Sequence, residues 1–139
     1  MSAKDKFHNV VKSALQKDGW RITHDPLQIR IEGISDMYVD LGAERIIAAE
    51  RDEQKIAVEV KSFIGTSTIF DFHTAMGQFI NYRYALEEIG AERVLYLAVP
   101  LNTYNDFFTK TFIQSIIQRS QVNLLVYDIE TEEIVRWQT

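Results

Sequence analysis

The sequence predicts a mixed α/β domain in which helices flank one sheet. Residues 93–99, RVLYLAV, form a nearly continuous apolar run, which is typical of a central strand covered on both faces. Residues 7–15 and 72–86 each repeat apolar side chains at helical spacing. The strand, helix and strand expected between residues 55 and 99 indicate a parallel pair with a right-handed crossover.

The first helix is predicted to begin at Ser2, because Asp5 follows three positions later in an arrangement of the capping-box type. Gly19 is well placed to end it. One face of this helix is apolar and should face the sheet. Its members are Phe7, Val10, Val11, Ala14 and Leu15.

Several short strands should follow, separated by turn residues. A hairpin is expected where two apolar segments flank DEQ at 52–54, which is read as the turn. The expected strands are WRIT (20–23), LQIRI (27–31), MYVDL (37–41), RIIAAER (45–51) and KIAVEVKSF (55–63).

Two more helices are predicted in the second half. One spans about 68–89 and ends at Gly90, with a buried stripe of Phe72, Ala75, Met76, Phe79, Ile80, Arg83 and Leu86. The other runs from Tyr104 to Ser120. Its inward side chains should be Phe108, Phe112, Ile113, Ile116 and Ile117. The segments NLLVYDI and EIVRWQ then form two strands around the turn ETE.

Composition narrows the function classes. The 139 residues suit a single domain, 1–139, and the formal charge of −5 argues against a general polyanion binder. The absence of cysteine excludes disulfides, thiolate metal sites and cysteine nucleophiles. Without an apolar leader or a bilayer-spanning stretch, a soluble cytoplasmic protein with no membrane partner is expected.

The segment IAVEVKSF contains the candidate catalytic residues Glu59 and Lys61. Glu59 and Lys61 lie two residues apart on a predicted strand, so their side chains share one face. A carboxylate, a lysine two residues later and an acid from the preceding strand suit metal-assisted phosphodiester hydrolysis. The acids would hold Mg²⁺, which prefers oxygen ligands, and the lysine would orient water or stabilise developing charge.

These residues resemble the PD-(D/E)xK nuclease superfamily, whose core order is αβββαβ, a restriction-endonuclease-like fold. EVK matches the (D/E)xK half, and Gln78 resembles the glutamine of several resolvase-like branches. A narrower resemblance is to the XisH family of cyanobacteria. It rests on five segments: KDGWRITHDPL, YVDLGAERIIAAER, IAVEVKSF, MGQFINYR and LYLAVP.

The XisH resemblance implies a factor that controls excision of the fdxN element during heterocyst differentiation, with a partner called XisI. The superfamily resemblance implies a Mg²⁺- or Mn²⁺-dependent endonuclease acting on DNA. It assigns catalytic roles to Asp40, Glu59, Lys61 and Gln78, and metal binding to the acids; strand register adds Glu44 as an alternative to Asp40 in both roles.

Three residues are candidates for the second acid of the metal site, beside Glu59. Asp40 ranks first on the resemblance, although no proline precedes it. Glu44 ranks close behind on strand register, because a turn at DEQ would bring it near the level of Lys61. Asp40 would then need a bend at Gly42. Glu50 shares the same strand parity but lies nearer the turn.

Three functions from different classes remain open on the sequence. The first is a metal-dependent endonuclease-like protein in DNA rearrangement. The second is a catalytically inactive regulatory subunit that keeps the nuclease fold and binds a partner, either an XisI-like protein or a site-specific recombinase. The third is a binding module without a nucleic-acid role. The acidic net charge and the missing proline favour the second over a freestanding nuclease.

Overall fold

A computed structural model describes residues 2–47 and 52–139. In this part of the chain, a first helix is followed by five strands, a long helix and a final set of strands and helices. The elements are α1 (Ala3–Lys17), β1 (Arg21–His24), β2 (Leu27–Ile29), β3 (Met37–Val39), β4 (Leu41–Ile47), β5 (Asp52–Val60), α2 (Thr68–Glu88), β6 (Val94–Pro100), α3 (Leu101–Thr103), a π-helical turn (Tyr104–Phe108), α4 (Thr111–Arg119), β7 (Asn123–Asp128) and β8 (Glu133–Gln138).

The sheet has six strands in the order β1-β4-β5-β6-β7-β8, and β2 pairs with β3 as a separate hairpin. Strands β5, β6 and β7 are parallel, and the other neighbours in the sheet are antiparallel. The predicted mixed α/β fold is confirmed. The elements α1, β1, β4, β5, α2 and β6 follow the expected αβββαβ order, with the β2–β3 hairpin inserted after β1.

Helices cover both faces of the sheet, and each face has its own core. The predicted apolar face of α1 is confirmed, since Val10, Val11, Ala14 and Leu15 are buried. The two valines and Leu15 pack among side chains of β4, β5 and β7. Phe72, Phe79 and other side chains of α2 pack on the opposite face. Because β6 lies between the two cores, its sequence is apolar on both sides.

The hairpin formed by β4 and β5 turns earlier than the sequence predicted. Ile47 pairs with Asp52, so DEQ belongs to β5, and the connection at 48–51 lies outside the described residues. The polar sequence of DEQ is typical of a turn, but its backbone pairs as a strand. The register follows from this: Leu41 lies opposite Val58, and Glu44 lies opposite Lys55. The expectation that Glu44 approaches Lys61 is therefore wrong.

The segment predicted as one helix from Tyr104 to Ser120 is broken. A π-helical turn ends at Phe108, and Lys110 has an extended backbone conformation before α4 begins. Helical phase is lost across this break, so Phe112 does not follow the face of Phe108. Phe108 is fully buried, whereas Phe112 is 71% exposed and its predicted inward position is wrong.

The strand expected at 55–63 also ends early, at Val60. The chain then leaves the sheet, and Phe63 adopts a positive φ of 54°. The main chain of Lys61 still donates to Ala98 in β6 over 3.0 Å, which keeps the residues after β5 close to the sheet. Within 2–47 and 52–139, none of the helices has the length and apolar character needed to cross a bilayer.

Candidate functional site

Asp40 and Glu59 interlock where the β4–β5 pair ends. The register places Leu41 opposite Val58, which brings Asp40 level with Glu59 without a bend at Gly42. The backbone N–H of Asp40 donates to Glu59 Oε1 over 3.3 Å. In return, the N–H of Val60 donates to Asp40 Oδ2 over 2.8 Å. The acid that completes the pair is thus Asp40, the candidate ranked first on the resemblance.

Lys61 lies beside this pair on the expected side of the strand. Its Nζ is 3.3 Å from Glu59 Oε2, and its side chain is 23% exposed. The hydroxyl of the fully buried Tyr127 donates to the Lys61 carbonyl over 3.0 Å. Together with the bond to Ala98, this contact fixes the lysine backbone from two strands, although Lys61 is already beyond the end of β5.

Glu59 is buried, with 5% of its surface exposed. Burial, reinforced by the negative charge of Asp40, raises the pKa of Glu59 to about 7, against the opposing attraction of Lys61. The buried carboxyl group of Glu59 thus lies next to the half-buried Asp40 and pairs with Lys61. A bound cation would favour the ionised form of both acids, because opposite charge stabilises a carboxylate.

A cleft of about 240 Å³ opens at the carboxyl end of β5, between this strand end and the first half of α1. Because a water molecule takes about 30 Å³ in the liquid, the space suits several waters or a phosphate group. Asp40 and Lys61 reach the cleft, and Glu59 lies behind them. The lining residues are Phe7, His8, Asp40, Val60, Lys61 and Ser62.

Gln78 lies on α2 and is half-buried. Its Oε1 is enclosed and has no hydrogen-bond partner within the described part of the chain. Among these same residues, the structure shows no hydrogen bond from Gln78 to Asp40, Glu59 or Lys61. Its assignment to the site stays a prediction.

Tyr82, on α2, is half-buried and feels the charges of the acid pair, a proximity that the sequence analysis did not predict. Burial raises its pKa, and the charges of Glu59 and Asp40 raise it further, so the phenol lies within the field of the two acids. It follows Gln78 by four residues, and side chains at this spacing share one helix face. This spacing is the feature of the sequence that could have indicated that Tyr82 lies on the same side of α2 as Gln78.

The other two candidate acids do not join the pair. Glu44 lies 3.3 Å from Arg93 and 3.3 Å from Arg21, through its two carboxylate oxygens. Arg93 also donates to the carbonyl of Ile56 over 3.0 Å, so Glu44 helps to hold strands together. Glu50 lies outside the described residues.

The donor set of the acid pair suits a hard divalent cation. Across residues 2–47 and 52–139, no three or more His, Cys, Asp or Glu side chains come together as a metal-binding group. However, Mg²⁺ usually keeps several waters and is bound through one or two carboxylates. Asp40 and Glu59 supply two such carboxylates next to a cleft with room for water, so these residues fit Mg²⁺ or Mn²⁺.

The sequence model of the XisH protein family matches residues 1–135. An XisH family protein from Nostoc punctiforme PCC 73102 is 52% identical, with a TM-score of 0.86, and the match covers 97% of this chain and 100% of that one. A fdxN element excision controlling factor protein from Anabaena variabilis is 53% identical, also with a TM-score of 0.86, over 97% and 99% of the two chains. Both are crystal structures. No curated protein matches the chain. The family model and these two structures, matched over nearly the whole chain, show that this protein belongs to the XisH family.

Proposed function

We propose that this protein controls excision of a DNA element and does so through a nuclease-like, metal-dependent phosphodiesterase-type site. Family membership supports the first part, because the relative from Anabaena variabilis is named as an excision controlling factor for the fdxN element. The natural setting for this role is the cytoplasm of a cyanobacterium during heterocyst differentiation.

The interlocked pair of Asp40 and Glu59, with Lys61 beside it, is the observation that supports a phosphodiesterase site. Asp40 and Lys61 line a cleft and Glu59 bonds to both, although the residue before β4, the end of β5 and the segment after β5 supply them separately. Burying the carboxyl group of Glu59 beside a second acid is costly unless a cation or proton compensates. Stability alone gives no reason for such an arrangement, whereas metal binding does.

Each residue has a role in this reaction. When bound, Mg²⁺ or Mn²⁺ supplies a Lewis acid that polarises the phosphate and makes water more acidic. Asp40 and Glu59 would hold the ion. Lys61 would donate to a non-bridging phosphate oxygen and stabilise the charge that develops there. Gln78, which the resemblance to the superfamily adds to the site, lies on α2 with Tyr82 four residues later.

The second candidate function is a regulatory subunit that keeps this fold and acts by binding. The net charge of −5 favours it, because an acidic protein alone repels DNA. An XisI-like protein or a site-specific recombinase would then supply the contacts to DNA. In this case the protein would keep the cluster of Asp40, Glu59 and Lys61 but would not cleave DNA with it.

An excision assay in cells that also contain the recombinase and the XisI-like partner decides between the two functions. For a catalytic site, Lys61→Ala should retain the metal and lose rate by about 10²- to 10³-fold, the scale of one transition-state donor. Glu59→Gln should lose both metal binding and activity while keeping the fold, because the two side chains are nearly isosteric.

The matched control is Lys110→Ala, which removes an exposed lysine far along the sequence from the site. It should excise the element as the wild type does. Full activity of Lys61→Ala would contradict the catalytic function. Loss of activity in Lys61→Ala, with the complex with the partner intact, would contradict a purely regulatory one.

A further inference from the structure

We propose that His8 is a further catalytic residue, which accepts a proton from the attacking water, and that Asp25 is its positioning residue. The inference rests on the proposed phosphodiesterase function. It concerns residues that lie outside the EVK segment and its neighbouring strand.

His8 and Asp25 form a dyad at the wall of the cleft. His8 lies on α1 and lines the same space as Asp40 and Lys61. Its Nε2 is 2.8 Å from Asp25 Oδ1, and Lys12 Nζ is 2.8 Å from Asp25 Oδ2. Both oxygens of Asp25 are thus engaged by α1. The side chain of His8 is 23% exposed and that of Asp25 is 30% exposed, so the dyad lies at the solvent-facing rim of the cleft.

The contact to Asp25 decides which imidazole nitrogen carries the proton. Burial raises the pKa of Asp25, but the hydrogen bonds and charges of Lys12 and His8 outweigh it, so the pKa is lower than usual. An ionised carboxylate only accepts hydrogen bonds, so His8 Nε2 must donate. A neutral His8 then presents Nδ1 as an acceptor. Within the described residues, this nitrogen has no hydrogen-bond partner.

The surroundings of His8 point to water as its partner in the cleft. Among the side chains that the structure describes, the charged groups at His8 are Asp25 and Lys12 on one side, with Asp40 and Lys61 in the shared cleft. Among the described residues, His8 forms no group with two acids that could hold a metal ion. An acceptor nitrogen would also repel the oxygens of a phosphate. A water molecule can donate to it.

The arrangement matches that of a general base oriented by a carboxylate. His8 Nδ1 takes a proton from water as the electron pair of that O–H bond forms the new O–P bond. The ester P–O bond breaks, and its electron pair goes to the leaving oxygen, which takes a proton from solvent. Asp25 stabilises the imidazolium until its proton returns to solvent.

Kinetics test the role of His8 with the full chain, the XisI-like partner, Mg²⁺ or Mn²⁺, and plasmid DNA carrying the element. His8→Gln should lower kcat by about 10²- to 10⁴-fold, the usual contribution of a general base. KM for DNA and the Kd for Mg²⁺, measured by calorimetry without DNA, should not change. Asp25→Asn should lower kcat by about 10- to 100-fold, as for other groups that orient a ligand or base.

The matched control is His73→Gln, on the exposed side of α2. It should keep the wild-type kcat. If the wild type cleaves and His8→Gln retains its kcat, the role of His8 is overturned and the phosphodiesterase site stands. If the wild type cuts no DNA with either metal and the partner present, the proposed function and the role of His8 fall together.

A second measurement does not depend on activity. In ¹⁵N NMR of the metal-free protein, His8 should be the Nε2–H tautomer, and Asp25→Asn should remove this preference. This variant also replaces an acceptor that Lys12 shares, so the fold is checked by the amide spectrum. Finding the Nδ1–H tautomer in the wild type would overturn the proposal even if His8→Gln failed to fold.

Discussion

The fold buries the carboxyl group of Glu59 beside a second acid. We therefore expect the free energy of unfolding to depend on the protonation of Glu59. Its pKa rises from 4.5 to about 7 in the folded protein, mainly through burial and then through Asp40. Between these values the folded state holds a proton that the unfolded state has released. The free energy of unfolding therefore falls as pH rises through this window, by the linkage relation. In Glu59→Gln this contribution should vanish.

Urea unfolding of the wild type and Glu59→Gln from pH 4 to pH 8 measures this effect. The variant should gain stability relative to the wild type as pH increases, with most of the change between 4.5 and about 7. Asp25 has a lowered pKa and acts in the opposite direction at more acidic pH, but it is common to both proteins. A constant difference across the range would show that Glu59 titrates normally in the folded state.

The π-helical turn before α4 decides which aromatic side chains enter the core. Phe108 is fully buried, and its ring centroid lies 5.4–5.7 Å from those of Phe63, Phe72 and Phe107. Phe112, in contrast, is 71% exposed. We expect Phe108→Ala to lower the free energy of unfolding by about 3–5 kcal/mol, the usual cost of a large core truncation. Phe112→Ala, with the same chemical change, should cost less than about 0.5 kcal/mol.

Chemical denaturation of the two variants provides the comparison, each serving as the control for the other. Similar losses in both would mean that α4 continues the phase of the preceding turn, as the sequence pattern predicted. Because the segment packs against the region after β5, a large loss in Phe108→Ala should also alter the backbone at Phe63.

The whole molecule should become more stable when Mg²⁺ binds, because a ligand that binds only the folded state shifts the unfolding equilibrium. At one hundred times its Kd, the ion should add about 2.7 kcal/mol to the free energy of unfolding. Asp40→Asn should remove most of this gain. Glu44→Gln should keep it, since Glu44 bonds to Arg93 and Arg21 away from the pair.

Thermal unfolding with and without MgCl₂ measures the gain, and NaCl at equal ionic strength controls for screening. The net charge of −5 makes this control necessary, because salt alone weakens repulsion among the acids. An equal gain in Asp40→Asn and the wild type would place the ion elsewhere on the surface.

The local pattern of the sequence determined the elements near the site. The helical spacing of apolar residues at 7–15 predicts α1, because a helix buried on one face has apolar side chains only on that face. The uninterrupted apolar run at 93–99 predicts a central strand, because such a strand is buried on both faces. The alternation in IAVEVKSF likewise places Glu59 and Lys61 on one side of a strand. These conclusions depend only on neighbours along the chain.

Only the tertiary structure decided which acid stands beside Glu59. A hairpin register depends on where the chain turns, and a shift of a few residues exchanges Asp40 for Glu44. The charged segment DEQ resembles a turn, yet Asp52 pairs with Ile47, and this pairing brings Asp40 to Glu59. The interruption of the helix before Phe112 was also decided by the tertiary structure, because the spacing of apolar residues does not reveal where the hydrogen bonds of a helix are broken.

The proximity of His8 to the cleft is also decided by the fold. His8 lies 32 positions before Asp40 and 17 before Asp25 in the sequence, and no spacing rule connects them. α1 must pack on the sheet before its first half can reach the end of β5. Local composition therefore determines the helices and strands, whereas contacts between distant segments assemble the chemical groups, because side chains far apart along the chain meet only after the core has formed.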